Sequence, residues 1–342
     1  MSEDQSPAVL DDRGGIDFSR LPTVTQAEDL VDQAFRQGRK AQAPKGAPGE
    51  RGRNRELARV GAAARKIESA LHRVIRSFPS LGELPPFYRE LVGVLEDLDV
   101  LKQRLGHVEW TRKQVQTIRA DAEDEIRDSD NNHEAMQARK EAYGRMASLV
   151  DDVTEDLAEL ERARHELAGL PTLSFDRPIL VIAGHPNVGK SSLIEHATRA
   201  TPEVASYPFT TKGVSLGHRD HERYTVQLMD TPGILDRPMD ERNDIERQAV
   251  LALEHAADAI LYVLDPSGHC GYPLEDQLGT LEELEATFDV PLLVVENKAD
   301  IQTTGDRARM SCETGEGVED VLGQALDLAI EAYRERTELG FD

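Results

Sequence analysis

Apolar residues recur at three- and four-residue steps through the first half of the chain, then in short unbroken runs through the second. From about Arg53, the positions Leu57, Val60, Ala64, Ile67, Leu71 and Ile75 line one face of an amphipathic helix that Phe78-Pro79 ends. Pro85 and Pro86 open a second helix carrying Phe87, Leu91, Val94, Leu95, Leu98 and Leu101. The spacing predicts a third helix from about Val108 to Ile126 and a break at Ser129 to Asn132. A long last helix then runs from about Glu134 to Leu167, with Met146, Leu149, Val150, Val153, Leu157 and Leu160 on its apolar side. Long helices joined by short polar turns make a bundle. No strict heptad is sustained, which disfavours an extended coiled coil. Trp110 reads as a packing residue of that bundle.

After Pro171 the texture changes. The runs Ile179 to Ala183, Val226 to Met229, Ala259 to Leu264 and Pro291 to Val295 alternate with helical stretches, as in a mainly parallel sheet covered on both faces. The expected architecture is therefore an all-α helical-bundle domain, residues 1–170, followed by an α/β domain, residues 171–342. A chain of 342 residues accommodates two cores.

Charge sharpens this picture. There are 64 acidic and 40 basic residues, a formal charge of −24, and Lys occurs only nine times. Such a surface normally argues against a nucleic-acid partner, DNA above all, and suits work in concentrated salt, where self-repulsion is screened. A salt-loving archaeal source fits it; an ordinary acidic protein is the alternative. One segment runs against the trend. Residues 36–76 hold twelve Lys or Arg against Glu50, Glu56 and Glu68. Within it, Ala43 to Gly52 is rich in Pro and Gly and reads as a loop between helices. The two cysteines, Cys270 and Cys312, form no disulfide framework, and Cys270 reads as a loop thiol. The ten His lack metal-ligand spacing. The Met1 end is acidic and polar, unlike a signal peptide, and no apolar run approaches the roughly 20 residues of a membrane span. The expectation is a cytoplasmic protein without a membrane partner.

The chemistry lies in the second half. Gly184-His185-Pro186-Asn187-Val188-Gly189-Lys190-Ser191 matches the phosphate-binding loop GxxxxGK[ST], between the run ILVIA and the helical start Ser192-Leu193-Ile194. A loop turning from strand into helix aims backbone N–H groups and a positive helix end at phosphates. His185, Pro186, Asn187, Val188, Gly189, Lys190, Ser191 and Ser192 are the candidate phosphate contacts. Lys190 would neutralise the β- and γ-phosphates, and the Ser191 hydroxyl would ligate Mg²⁺. Asp230-Thr231-Pro232-Gly233 ends the run TVQLM. There the Asp230 carboxylate can hold Mg²⁺, usually through water, and the Gly233 N–H can reach the γ-phosphate.

Asn297-Lys298-Ala299-Asp300 follows PLLVVE. Guanine presents two donors on one edge, N1–H and N2–H, and the Asp300 carboxylate can accept both. Adenine lacks that pair, so the motif selects GTP over ATP. Asn297 would bridge base and loops, and Lys298 would lay its stem over the ring. Ser311 and Cys312 fall where a backbone N–H would meet guanine O6. Between the first two motifs, Tyr207 to Gly213 holds the threonine that would complete the Mg²⁺ shell while the γ-phosphate is present. Thr211 is the choice, with Thr210 the alternative. Lys190, Thr211 and Gly233 are thus the candidate catalytic groups. Ile234 stands where many GTPases carry a water-orienting Gln, so intrinsic turnover is expected to be slow.

These residues resemble the Nog (nucleolar GTP-binding protein) family, archaeal branch, within the Obg-like translation-factor GTPases. The resemblance runs through AGHPNVGKSSL, YPFTTKGVSLGH, MDTPGILDRPMDERNDIERQAVLALEHAADAILYVLDPSGHCGYPLEDQ and VVENKAD. It reaches back through LPTVTQAEDLVDQAFRQGRKA and FPSLGELPPFYRELVGVLEDLD, and covers about Phe18 to Tyr333. It implies a helical domain, a P-loop GTPase domain and a role in assembling the large ribosomal subunit on precursor rRNA. The basic segment 36–76 agrees independently, since Arg and Lys there can neutralise RNA phosphates. The Pro-Asn-Val-Gly-Lys form of the loop also resembles GTPases that bind K⁺ beside the phosphates, at Asn187; simple bracing of the loop is the alternative.

Two departures stand. The chain reads only to Asp342, so functions of a longer C-terminal tail are not carried over, and Glu296 replaces the apolar residue usual before NKxD, with no effect expected on the site. Two readings compete with ribosome assembly: an Obg- or Drg-like GTP-sensing translation regulator, and an RNA-binding scaffold in which hydrolysis is dispensable.

Overall fold

Helices form where the apolar steps run, and capping chemistry sets their ends. The structure, a computed structural model, describes residues 15–43, 50–198, 203–205, 207, 213–231 and 244–339. Helix α1 spans Ala27–Lys40 and α2 spans Arg51–Ser77. Helix α2 buries Val60, Ala64, Ile67 and Leu71 of the expected stripe, while Leu57 and Ile75 are half-buried and Val74 is buried instead. It stops at Phe78, whose N–H still reaches the Val74 carbonyl, because Pro79 can offer no further donor.

The next helices differ from expectation. Helix α3 covers only Pro86–Leu95, and α4 begins at Leu98 and runs to Asp128. The Asp97 carboxylate accepts from the N–H groups of Asp99 (2.9 Å) and Val100 (3.1 Å), which makes a helix start inside an unbroken apolar pattern. Leu98 and Leu101 therefore belong to α4. Asn131 caps α5, Asn132–Asp151, by accepting from His133 and Glu134 N–H, while Glu134 returns to the Asp130 N–H at 2.8 Å.

The long last helix is interrupted. Asp152 and Val153 form a tight turn between α5 and α6, Thr154–Leu167. Val150, Val153 and Leu157 are all buried across that turn, so the apolar stripe continues where the helix does not. Trp110 is a further correction. It is 49% exposed on α4 and lies beside His107, while Val108, Thr111 and Val115 of the same helix face the core.

Helices α1, α2, α4, α5 and α6 form one compact unit, residues Arg20–Glu83 and Glu96–Ala168. Its polar centre is Glu56, 2% exposed, whose carboxylate takes Arg55 and Arg59 at 3.0 Å each and Arg139 at 2.6 Å. The second unit takes in residues 15–19, helix α3 and the chain from Gly169 onward, so the two units alternate along the sequence instead of parting at one break. Tyr88 holds α3 within this second unit. Its hydroxyl donates to Pro171 O and accepts from Leu173 N–H, both at 2.8 Å, and its ring packs edge-on against Phe18 and Phe175.

The second unit is built on strands β1 (Ile179–Ala183), β2 (Glu203–Ala205), β3 (Val214–His221), β4 (Tyr224–Asp230), β5 (Ala259–Leu264), β6 (Leu292–Glu296) and β7 (Ala308–Arg309). Their order is β2-β3-β4-β1-β5-β6-β7, parallel from β4 through β7 and antiparallel at β2-β3 and β3-β4. Helices α7 (Lys190–Ala197), α8 (Asp244–Ala252), α9 (Leu274–Thr287) and α10 (Val318–Leu339) complete it. Every residue of β1 and β5 is buried, as strands covered on both faces require. The fold class is the one expected: an α/β domain on a mainly parallel sheet, with a helical bundle. Because β4, β1, β5 and β6 run parallel, their carboxyl ends share one edge, where open α/β sheets bind ligands.

The opposite edge holds a titrating pair. Asp258, 3% exposed before β5, accepts from Ile179 N–H at 2.8 Å and meets Arg336 of α10 at 3.1 Å. Burial outweighs both partners and lifts its carboxyl to about 6. A raised acid stabilises the fold below its unfolded value, and that contribution is lost as pH climbs through the folded value. Asp258→Asn does not titrate. The stability of wild type relative to this variant should therefore fall by on the order of 3 kcal/mol between about pH 3 and pH 7. Urea unfolding at both pH values reads it, and a constant difference refutes it.

Candidate functional site

Strand β1 delivers the chain to Gly184, where a left-handed turn begins that only glycine fits. Gly184 has φ +135°, and a Cβ there would sit 2.4 Å from the Val263 carbonyl. Asn187 also adopts a positive φ, 62°, which Asn tolerates better than most residues. Gly189, at φ +108°, then leads into α7, and a Cβ there would meet the Asn297 amide at 2.1 Å. The loop is tight because a second loop presses on it.

Lys190 folds back across its own turn. It is 5% exposed and its ammonium donates to the carbonyls of Gly184 (2.8 Å) and His185 (2.9 Å). Ser191 Oγ donates to Asp230 Oδ2 at 2.8 Å, so the first turn of α7 and the end of β4 are joined as the motifs anticipate. Asp230 is fully buried, and its Oδ1 finds no hydrogen-bond partner among the described residues. Burial drives its carboxyl above the ordinary value, against the pull of Lys190 and Ser191. An under-satisfied buried carboxylate beside a hydroxyl is a set of hard oxygen donors, and it suits a small divalent cation that keeps waters and phosphates as its other ligands. Thr231 is buried and donates to Ile182 O at 3.0 Å.

The remaining loop residues have supporting places. His185 is buried against Tyr272 and pairs with Thr280 Oγ1 at 3.0 Å, and Val188 is buried. Pro186 is half-buried; Asn187 and Ser192 are exposed.

Asn297 is the brace. Its Nδ2 donates to Val188 O at 2.7 Å, and its Oδ1 accepts from Cys312 N–H at 3.0 Å. One side chain thus ties the phosphate loop, the loop after β6 and the loop after β7. Lys298, at φ +59°, places its ammonium 2.7 Å from Asp265. Asp300 is exposed on the turn that the Ile301 N–H closes on Lys298 O. Ser311 is buried and accepts from Thr314 N–H, while burial pushes the Cys312 thiol up to about 11. The Cys312 N–H is already engaged by Asn297. Thr210, Thr211, Gly233 and Ile234 lie outside the described residues.

Two features are not legible in the motifs. Asp265 is fully buried at the end of β5 and gathers Lys298, Ser267 and Cys270, and Gln277 braces it. The signal for it was positional: Asp265 directly follows β5, much as Asp230 closes β4. Glu296 is also fully buried. It accepts from Thr303 Oγ1 (2.6 Å), from Thr304 N–H (2.9 Å) and from Thr304 Oγ1, and so anchors the loop leading to β7. Burial pulls its carboxyl upward, but those donors and Arg307 outweigh it and hold it below the ordinary value. Cys270 is buried too, which raises its thiol.

Comparison with known proteins bears on the whole chain. A family model described as the NOG1 N-terminal helical domain matches residues 18–174, and one described as nucleolar GTP-binding protein 1 matches residues 244–300. An uncharacterized protein of Methanocaldococcus jannaschii is 37% identical over 295 residues, covering 83% of this chain and 81% of the relative. Nucleolar GTP-binding protein 1 of Drosophila melanogaster is 36% identical, covering 84% of this chain and 45% of its own. That of Arabidopsis thaliana is 33% identical over 94% of this chain and 48% of its own. The chain thus spans about half the length of these two eukaryotic relatives. A solved Plasmodium falciparum structure described under the same name shares 29% identity at a TM-score of 0.45, over 50% of this chain and 95% of that one.

Proposed function

The chain belongs to the nucleolar GTP-binding protein 1 family, and from that premise we propose that it binds and hydrolyses GTP as a switch in large ribosomal subunit assembly. The observation that carries the nucleotide reading is the Gly184–Ser191 loop itself: a left-handed strand-to-helix turn with Lys190 lying across its carbonyls, Ser191 on Asp230, and Asn297 clamped over Val188.

Each group has work to do at a nucleotide. The N–H groups opening α7 point to the phosphates. Lys190 exchanges two carbonyl bonds for phosphate oxygens, a stronger, charge-assisted pairing. Ser191 and Asp230 would hold Mg²⁺, which supplies charge neutralisation on the β- and γ-phosphates when bound. Asp300 accepts both guanine donors, and Lys298 lays its stem against the base. With the Cys312 N–H engaged by Asn297, the following Glu313 N–H takes guanine O6 in this reading. Thr211, with Thr210 as the alternative, and Gly233 take the γ-phosphate contacts that their positions imply. With Ile234 in place of a water-orienting Gln, turnover without a partner is slow. Titration of the full chain with a fluorescent GTP analogue, followed by phosphate release, tests this; failure to bind sinks it.

The ribosomal assignment rests on the family and on the basic segment 36–76 of an otherwise acidic chain. Sucrose-gradient fractions of lysate should hold the protein with precursor large-subunit particles. Residence only with mature ribosomes would favour a translation regulator instead.

Asn187 is exposed, and among the described residues its amide makes only a long contact, 3.4 Å, to Cys270 O, which leaves its Oδ1 available to a monovalent cation. K⁺ there supplies positive charge near the β–γ bridge where Ile234 supplies none. Turnover in KCl should therefore exceed turnover in NaCl at equal ionic strength by about tenfold or more, the scale of one electrostatic contact to the transition state. Equal rates remove the cation.

A further inference from the structure

The segment Asp265 to Tyr272 folds around one carboxylate. Asp265 Oδ1 accepts from Ser267 N–H (3.0 Å) and Ser267 Oγ (2.5 Å), and Oδ2 accepts from Cys270 N–H (2.7 Å). Backbone bonds from Gly268 N–H to Asp265 O at 3.2 Å and from Gly271 N–H to Gly268 O at 3.0 Å close the turn with them. Gln277 of α9 locks it from behind. Its Oε1 accepts from Asp265 N–H at 2.8 Å, and its Nε2 donates to Asp265 O at 3.0 Å and Tyr272 O at 2.9 Å. Tyr262 of β5 then donates to Gln277 O at 2.9 Å.

Beyond the turn, the carboxylate reaches the two loops of the site. Lys298 Nζ lies 2.7 Å from Oδ2, and Asn187 Nδ2 donates to the carbonyl of Cys270, whose N–H Asp265 holds. Burial works to raise the Asp265 carboxyl, but Lys298, Ser267 and Cys270 outweigh it, so it stays ionised well into acid. The turn has its own donors and does not need the ammonium. Lysine, by contrast, has a long flexible stem whose ordering opposes binding unless it is ordered beforehand.

We propose that Asp265 is a positioning residue for guanine-nucleotide binding: it fixes the Lys298 ammonium so that the side-chain stem stands ready against the base. The proposal rests on the nucleotide reading above. Asp265 touches no ligand itself. Selection of guanine stays with Asp300, so loss of Asp265 lowers the affinity for guanine and hypoxanthine nucleotides alike.

The test is a double-mutant cycle on the full chain, with Kd for GDP and for IDP measured by fluorescence competition. Asp265→Asn and Lys298→Met should each weaken GDP binding by about tenfold, and the double variant should be no weaker than Lys298→Met alone, because effects exerted through one partner do not add. The GDP-to-IDP ratio should hold in all four proteins, since Asp300 is untouched in each. A purely structural Asp265 gives a different result: its penalty persists undiminished in the Lys298→Met background, and that outcome overturns the proposal. Wild type that binds no GDP overturns the nucleotide reading instead, and the proposal with it. If Asp265→Asn unfolds, Asp265→Glu, which keeps the charge and displaces it by one methylene, replaces it in the cycle.

Discussion

Asp300→Asn is expected to weaken GTP binding by on the order of 10²- to 10³-fold, since it removes two hydrogen bonds to an ionised acceptor at roughly 1.5–3 kcal/mol each and only part returns. It should also turn the preference towards xanthosine triphosphate, whose C2 carbonyl accepts from the new amide. The site suits such a clean exchange. Asp300 is exposed, so no core packing is disturbed. The turn that presents it is closed by backbone bonds, Ile301 N–H to Lys298 O at 2.8 Å and Ala299 N–H to Met310 O at 3.1 Å, and the substitution leaves both intact. A polar site matched to a donor pair rejects ligands lacking that pair far more sharply than an apolar pocket rejects a shape. Competition among GTP, XTP and ATP reads the outcome. An unchanged base ranking would remove Asp300 from the base site, leaving the phosphate loop untouched.

What the sequence revealed, and what it hid, divides by the range of the interaction. Strands β1 and β5 could be bounded to the residue, because a strand buried on both faces is a continuous apolar run. The phosphate loop, Asp230 and Asn297 could be singled out because each stands at or just after the end of an apolar run, and the parallel order brings those ends together. Helix ends failed where a single polar side chain overrode an apolar pattern. The Asp97 cap starts α4 well before Val108, and the turn at Asp152–Val153 divides a stripe that is chemically continuous. Trp110 failed because one large apolar residue says nothing of its own direction, and on α4 it faces solvent. Asp265 was passed over, and Glu296 was noted only as a departure before NKxD, because a buried carboxylate is recognisable only with its donors, which here lie up to 33 residues away in sequence. The sharing of α3 with the sheet unit rests on the Tyr88 hydroxyl and its ring contacts, which periodicity does not register.

The same difference of range decides which basic residues of segment 36–76 are engaged inside the helical unit. A charge count treats all twelve cations of residues 36–76 alike, and the structure does not. Arg55 and Arg59 are bound to the buried Glu56, and Arg53 donates to the carbonyls of Arg127 and Ser129 at 3.3 Å. Glu56 stays ionised. Burial favours its neutral form, but the bonds from Arg55 and Arg139 and the charge of Arg59 outweigh that, and its carboxyl lies below the ordinary value. Glu56→Ala leaves three guanidinium groups around an empty carboxylate site, and the expected cost is about 3–5 kcal/mol, as for breaking a buried ion pair. Reversing Arg55 or Arg59 strikes the same node, so reduced particle binding in those variants would report unfolding.

Arg65, Lys66, Arg73 and Arg76 differ. They make no ion pair among the described residues, and at ~100° per residue they fall within about a third of the circumference of α2, opposite Ile67, Leu71 and Val74. Three of the four are Arg, whose bidentate phosphate bonds survive salt better than long-range attraction. Changing all four to Glu should leave thermal unfolding and GTP affinity near wild type while abolishing recovery of precursor ribosomal particles. On model RNA, changing them to Ala should flatten the dependence of log affinity on log salt by about 0.7–0.9 for each phosphate no longer neutralised. Recovery undiminished in a folded four-Glu variant would make this stripe a solvated surface and return the search for the RNA-binding face to other parts of the helical unit.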